Sequence, residues 1–405
     1  MSALQDALSL PAPRPIRRRT LALIASLAAI GALSTNIILP SFPSMAAEFG
    51  VQTRDLGVTL SSFFMAFAIG QLVVGPLSDR FGRRWLVIGG LVVFLAGTAL
   101  CAAADSLDQM VAGRVVQALG LCATSVLARA IARDLFEGEA LARVLSLTMI
   151  AMAAAPGFSP LIGSGLETAF GWRATFAFVG LGGLVIGAAY FFGLGETHPQ
   201  DRRAAQSPAQ ILGAYAGLAA DARFFFPALA VSFILGGLYA FFGASPAIMI
   251  GALGITPLQL SLVFAATVFV VFGAGAAAPH LARRFGPARA AASGSVIALA
   301  GALLMGATAA TPSFTMFTVA VVLFLFGMGL TNPLGTAIAL QPFGDRAGLA
   351  SALLGFLQMA SAALGTALTV SLPLPPVAAL AAVLTGGAGL AFLCLFACSR
   401  ASQPA

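Results

Sequence analysis

The chain has 405 residues, of which 59% are hydrophobic and only 9% charged, with a formal net charge of +7 and a mean hydropathy of +0.98. So apolar a composition excludes an ordinary water-soluble domain, in which about a quarter of the residues carry charge. All of the cations are arginines gathered mostly in turns between apolar runs, which excludes a nucleic-acid-binding protein despite the basic balance.

Apolar runs are predicted at 20–40, 56–77, 85–104, 110–131, 142–165, 173–194, 224–250, 258–281, 288–310, 313–338, 347–371 and 377–398. Each approaches the roughly twenty residues that a helix needs to cross a 30 Å hydrocarbon core. Backbone in lipid must satisfy its own hydrogen bonds, and long uniformly apolar runs do not suit barrel strands, so these are expected to be helices. Residues 1–19 and the run after them look superficially like a secretory leader. The run is too long for one, and eleven more follow, so it is read as the first span.

With twelve spans, Arg14, Arg17, Arg18, Arg19, Arg80, Arg83, Arg84, Arg133, Arg143, Arg202, Arg203, Arg223, Arg283, Arg284, Arg289, Arg346 and Arg400 fall on one side. The opposite loops carry only Arg54 and Arg173, with Glu48 and Asp55 in the first of them. By the positive-inside rule both termini are expected in the cytoplasm, which gives a multi-pass membrane protein. Cys101, Cys122, Cys394 and Cys398 lie inside apolar runs, without a histidine near enough in sequence to suggest a metal site, and are read as small buried residues. No metal or cofactor is expected.

Between the second and third runs stands a dense charged turn, Gly75-Pro-Leu-Ser-Asp79-Arg80-Phe81-Gly82-Arg83-Arg84. A degraded copy follows at Pro279-His-Leu-Ala-Arg283-Arg284-Phe285-Gly286-Pro287. The offset of about 204 also sets Met45, Gly50, Val51 and Leu56 against Met249, Gly254, Ile255 and Leu260. The chain thus divides into a tail (1–19), a six-helix bundle (20–194), a cytoplasmic linker (195–223), a second six-helix bundle (224–399) and a tail (400–405). Two similar halves are what alternating-access transporters are built from, with the substrate held between them near the bilayer midplane.

Over essentially its whole length the sequence resembles the major facilitator superfamily, and within it the Bcr/CflA drug-resistance subfamily of drug:proton antiporters. The Gly75–Arg84 turn is similar to the superfamily's signature loop. That resemblance implies a gating network of Gly75, Asp79, Arg80, Gly82, Arg83 and Arg84, with Asp134 as the acidic partner after helix four, latching the halves on the cytoplasmic side. Gly113-Arg114-Val-Val-Gln117-Ala-Leu-Gly120 resembles the superfamily's helix-four motif. Physical reasoning singles out Arg114 as well, because it is the arginine expected at membrane depth, where a charge is costly and marks a polar pathway or a paired site. Gln117 lies about one turn away on the same face. Pro156, Gly157, Pro160 and Gly163 resemble the antiporter motif of helix five, where prolines remove helix hydrogen bonds and glycines permit close contact. Gly171-Trp172-Arg173 and Gly195-Glu196-Thr197 resemble landmarks at the ends of helix six and read as architectural.

The first span departs from the subfamily pattern. In Leu33-Ser34-Thr35-Asn36-Ile37-Ile38-Leu39-Pro40, Asn36 stands where the resemblance leads one to expect an aspartate. A buried carboxyl has a raised pKa and can exchange proton for cation; an amide cannot titrate. No other acid is expected at mid-membrane, so neutral or anionic amphiphiles are favoured over strongly cationic drugs. A polar packing role for Asn36 is the alternative.

Phe63, Phe64, Met65, Met149, Met152, Tyr239, Phe242, Asn332 and Gln358 are candidates for lining the cavity. The central polar site is assigned to Asn36, Arg114, Gln117, Met65, Tyr239, Asn332 and Gln358. The expected protein is a monomeric exporter of small amphiphilic compounds such as antibiotics, acting by alternating access with proton linkage. An uncoupled exporter or facilitator of a specific metabolite is the competing transporter reading. An embedded enzyme would need a reactive constellation inside the spans, and His198 and His280 both sit at their edges.

Overall fold

The computed structural model describes residues 18–203 and 207–401. Most of the expected N-terminal tail, including Arg14 and Arg17, residues 204–206 of the linker and residues 402–405 lie outside them. The helices in chain order are α1 (Arg18–Asn36), α2 (Phe42–Phe49), α3 (Gly57–Phe81), α4 (Arg84–Ala102), α5 (Leu107–Leu135), α6 (Gly138–Phe170), α7 (Arg173–Gly193), α8 (Pro208–Ala220), α9 (Ala222–Ser245), α10 (Pro257–Phe285), α11 (Pro287–Ala307), α12 (Phe314–Leu340), α13 (Ala347–Ser371) and α14 (Pro376–Ala401). Twelve helical segments are long and apolar enough to cross a membrane, α1 and α2 together making the first. The described residues contain no strand.

Twofold repetition reaches the backbone. Gly82 and Gly286, 204 residues apart, end α3 and α10 with φ of 90° and 84°. Their amides donate to Ser78 O and Ala282 O, each at 2.9 Å, and these acceptors are again 204 apart. A side chain is strained in that left-handed region, which is why glycine ends both helices. Helix packing repeats too. A methyl group on Gly90 would lie 2.6 Å from Ala123 Cβ, and one on Gly294 would lie 2.7 Å from Gly327 O. Both pairs again differ by 204, so α4 packs on α5 as α11 packs on α12, through small residues that let backbones touch.

The halves meet along two seams, α3 against α13 and α6 against α10. The repeat exchanges these pairs, as a twofold axis between the bundles requires. Along α6 and α10 the Ser261 hydroxyl donates to Pro160 O at 3.0 Å, and Gly157 abuts Val268. Towards the arginine-rich face the same helices expose Met149, Ile150, Phe269 and Phe272. On the opposite face, Leu39–Ser41 meets α10, while α2 and the turn Thr53–Leu56 meet the π-helical segment Pro246–Ala252.

The segment between the halves differs from the plain polar linker expected. It carries α8, opened by a reciprocal cap between Ser207 and Gln210. Ile211, Tyr215 and Leu218 recur on one face and pack in a cluster with Phe224, Val231 and Leu354. That short apolar stripe is enough to seat a helix on the bundle.

Candidate functional site

Arg114 is fully buried in α5. Its Nη1 donates to Gln117 Oε1 at 2.5 Å and to the backbone oxygen of Ser34 at 3.2 Å. Gln117 Nε2 in turn donates to Thr98 Oγ1 in α4 at 2.9 Å, whose hydroxyl donates to Phe94 O at 2.7 Å. The Ser34 carbonyl is available because α1 ends at Asn36 and a 3₁₀ turn containing Pro40 follows. Carbonyls of a helix's last turn lack intrahelical partners, and a guanidinium supplies one.

The guanidinium lies over an aromatic ring, with its carbon 4.4 Å from the centroid of Phe63 in α3. Nε and Nη2 have no hydrogen-bond partner. Among the described residues no carboxylate pairs with it. A buried cation without a counterion is costly, and these two nitrogens are donors left unsatisfied among the described residues.

From Phe63 a line of rings crosses between the halves. Phe63 and Phe64 centroids are 5.9 Å apart, and Phe64 lies 4.5 Å from Tyr239 of α9. Tyr239 is followed by Phe242 at 6.1 Å and Phe264 of α10 at 5.2 Å beyond that.

The other residues assigned to the central site are distributed differently. Asn36 is buried two residues beyond Ser34, its amide donating to Ala32 O at 2.9 Å and its Oδ1 left without a partner. Asn332 is half-buried with Oδ1 also unpartnered, and Gln358 is half-buried. The contacts of the Arg114 cluster include neither of them. Met65 shares an exposed stripe of α3 with Val58, Ile69, Val73 and Leu77, away from Arg114. Thr98 and the Ser34 carbonyl belong to the cluster without having been expected there.

At the arginine-rich end, Arg83 is 6% exposed and bonds Asp79 at 2.7 Å, Asp134 at 3.2 Å and the Ser78 hydroxyl. Asp134 also accepts from Thr197 Oγ1 at 3.0 Å. Glu196 accepts from the amides of Arg83 at 2.8 Å, Arg84 at 3.2 Å and His198 at 3.0 Å, and pairs with Arg203 at 3.6 Å. Glu196 thereby serves the start of α4 as an anionic cap. Burial alone would raise its pKa, but the amide donors and Arg203 outweigh that and hold it below the ordinary value of 4.5. Arg80 and Arg84 point away from this network, over the rings of Phe81 and Trp85.

Asp79, Ser78, Asp134 and Glu196, the partners of Arg83, all belong to the first half or its exit segment. At the repeat positions of Asp79, Arg83 and Asp134 stand Arg283, Pro287 and Ile338, so the network exists once. On the opposite face Arg173 joins Glu48 at 2.6 Å to Asp105 at 3.1 Å, while the indole of Trp172 donates to Glu48 at 2.7 Å. In α6, which runs unbroken through Pro156 and Pro160, Gly163 lies against the backbone of Ile37, just past the end of α1.

Residues 24–366 match the Major Facilitator Superfamily. The chain is 28% identical over 355 residues to multidrug resistance protein D of Escherichia coli (strain K12), covering 87% of this chain and 89% of that protein. It is also 28% identical to the chloramphenicol resistance protein of Pseudomonas aeruginosa, covering 80% and 76% respectively. Its fold matches the crystal structure of a bacterial homologue of the human lysosomal transporter Spinster, in an inward-facing and occupied conformation, with a TM-score of 0.75 at 16% identity, over 96% of this chain and 97% of that one. Twelve apolar helices in two repeated halves and these matches together make the chain a membrane transporter of the Major Facilitator Superfamily.

Proposed function

We propose that the protein exports small amphiphilic compounds, antibiotics among them, from the cytoplasm by alternating access. The drug-resistance relatives support the substrate class. The observation that carries the finer reading is the buried Arg114 guanidinium, which has two unpartnered nitrogens and no carboxylate beside it. Such a site repels cations and accepts a carbonyl, sulfonyl or carboxylate oxygen, while the ring line from Phe63 to Phe264 offers apolar contact shared by both halves. Neutral and anionic amphiphiles are therefore the preferred substrates.

The arginine-rich face is assigned to the cytoplasm, with both termini, in a bacterial inner membrane. The Arg83–Asp79–Asp134 network steadies the cytoplasmic end of the first half, and the α6–α10 seam at Gly157 and Pro160, with Gly163 packed on Ile37 behind it, closes the external side. The protein acts as a monomer. Proton linkage, where present, runs through a group other than position 36.

One observation favours a second reading, in which export of a specific metabolite proceeds without protons: Asn36 is an amide that cannot titrate. Expression in a host deleted for its own pumps tests the first reading through a susceptibility panel. Raised resistance to neutral and anionic amphiphiles supports it; an unchanged panel sinks it. Proton movement driven by substrate in proteoliposomes separates the two, since transport without it leaves the uncoupled reading.

A further inference from the structure

A recess of ≈ 440 Å³ lies between the arginine-rich ends of α1 and α6, lined by Arg18, Leu21, Arg143, Val144 and Leu147. Its size falls within the roughly 300–1,000 Å³ of small-molecule sites. Two arginines and three aliphatic side chains line it, of which Val144 is fully buried and Leu147 is 37% exposed. Among the described residues neither arginine has an ion-pair or hydrogen-bond partner. The recess therefore combines two free cations with an apolar floor and contains no acidic residue.

We infer that this recess binds the anionic head of an amphiphile, with a phosphate or carboxylate between Arg18 and Arg143 and the start of its chain on Leu21, Val144 and Leu147. Guanidinium groups match such oxyanions in geometry as well as charge. Basic pockets between the ends of membrane helices on the positive face are where acidic lipid heads settle. The ligand is either an anionic phospholipid of the adjoining leaflet or a free anionic amphiphile; both present the same chemistry. The site is separate from Arg114, and the inference stands whether or not Arg114 binds substrate.

The test uses the full-length transporter in neutral detergent, with thermal stability followed as phosphatidylglycerol, phosphatidylcholine or decyl phosphate is titrated. Phosphatidylglycerol should stabilise at lower concentration than phosphatidylcholine. The double variant R18Q/R143Q should need roughly tenfold more of it, while R283Q/R289Q, which removes equal charge from the same face, should behave as the parent. Leu147→Trp narrows the recess over its apolar floor and keeps both cations, and should weaken binding similarly. A response to phosphatidylglycerol alone identifies the lipid as ligand, and a response to decyl phosphate as well admits the free amphiphile. Equal effects of the two phospholipids, equal losses in the two double variants, or an unaltered L147W would each overturn the assignment.

Discussion

The carbon of the Arg114 guanidinium lies over the Phe63 ring, 4.4 Å from its centre, and this joins a buried charge in α5 to the aromatic line that reaches α9 and α10. One face of the cation is covered by the ring and one nitrogen is spent on Gln117 and Ser34. On the proposed reading, the remaining nitrogens are what a ligand would use. The first prediction follows from this division. Arg114→Met removes a charge with no counterion, and replacing buried charge by an apolar side chain of similar reach is often neutral for stability. The variant should denature within a few degrees of the parent and lose at least about tenfold in substrate affinity, equivalent to about 1.4 kcal/mol. Equal affinity in a well-folded R114M would remove Arg114 from the site.

Asn36→Asp places a carboxyl in the buried first span, near the broken end of α1. The expected gain is acceptance of cationic amphiphiles and a pH dependence of their uptake that the parent lacks, because a buried carboxyl titrates above its ordinary value. Flux measured in vesicles at several pH values checks this. An unchanged substrate range would assign Asn36 to helix packing alone.

The α4–α5 contact gives a steric prediction with its own control. Gly90→Val must push against Ala123 and the Gly120 backbone, whereas Gly89 has open space. Overpacking costs about 1–3 kcal/mol, so G90V should lower the thermal midpoint of the purified protein and G89V should leave it nearly unchanged. Gly294→Val, the repeat equivalent, should resemble G90V.

Glu196 supplies a pH prediction. Its pKa in the folded protein is held below 4.5, so the stability it contributes is present above the ordinary carboxylate value and is lost as pH falls through the depressed one. Thermal midpoints from pH 7 to 3 should fall at the acid end, and Glu196→Gln should flatten that fall while lowering the midpoint at pH 7. An identical acid limb in E196Q would show that Glu196 carries no such stability.

Asp134→Asn weakens the hold on the nearly buried Arg83, which keeps Asp79 and Ser78. A loss of about 1–3 kcal/mol is expected. A double-mutant cycle with Arg83→Gln measures the coupling directly, and additivity would show the 3.2 Å contact to be incidental.

The membrane class, the span count and the repeat were legible in the sequence because run length and charge placement are dictated by the bilayer itself. Arg114 and Gln117 were legible together because i and i+3 share a helix face. The Ser34 carbonyl was not, since it becomes an acceptor only where α1 stops before Pro40 and its use depends on a helix eighty residues away. That Met65 stands on the exposed stripe of α3 was not legible for a related reason. Helices apolar on every side carry no phase, so sequence cannot tell the exposed stripe of α3 from the face bearing Phe63 and Phe64. The role of Glu196 was hidden for a third reason, because its partners are backbone amides, which no residue pattern reports. The seating of α8 rests on only three apolar positions in a polar segment.

The central claim is that a buried, uncompensated arginine selects what the transporter carries. Equilibrium binding of three amphiphiles that share one aromatic tail, and bear an anionic, a neutral or a cationic head, tests it most directly. The purified protein should bind the first two at least about tenfold more tightly than the third, and R114M should lose that preference. Tighter binding of the cationic member, with the same order retained in R114M, would contradict the account.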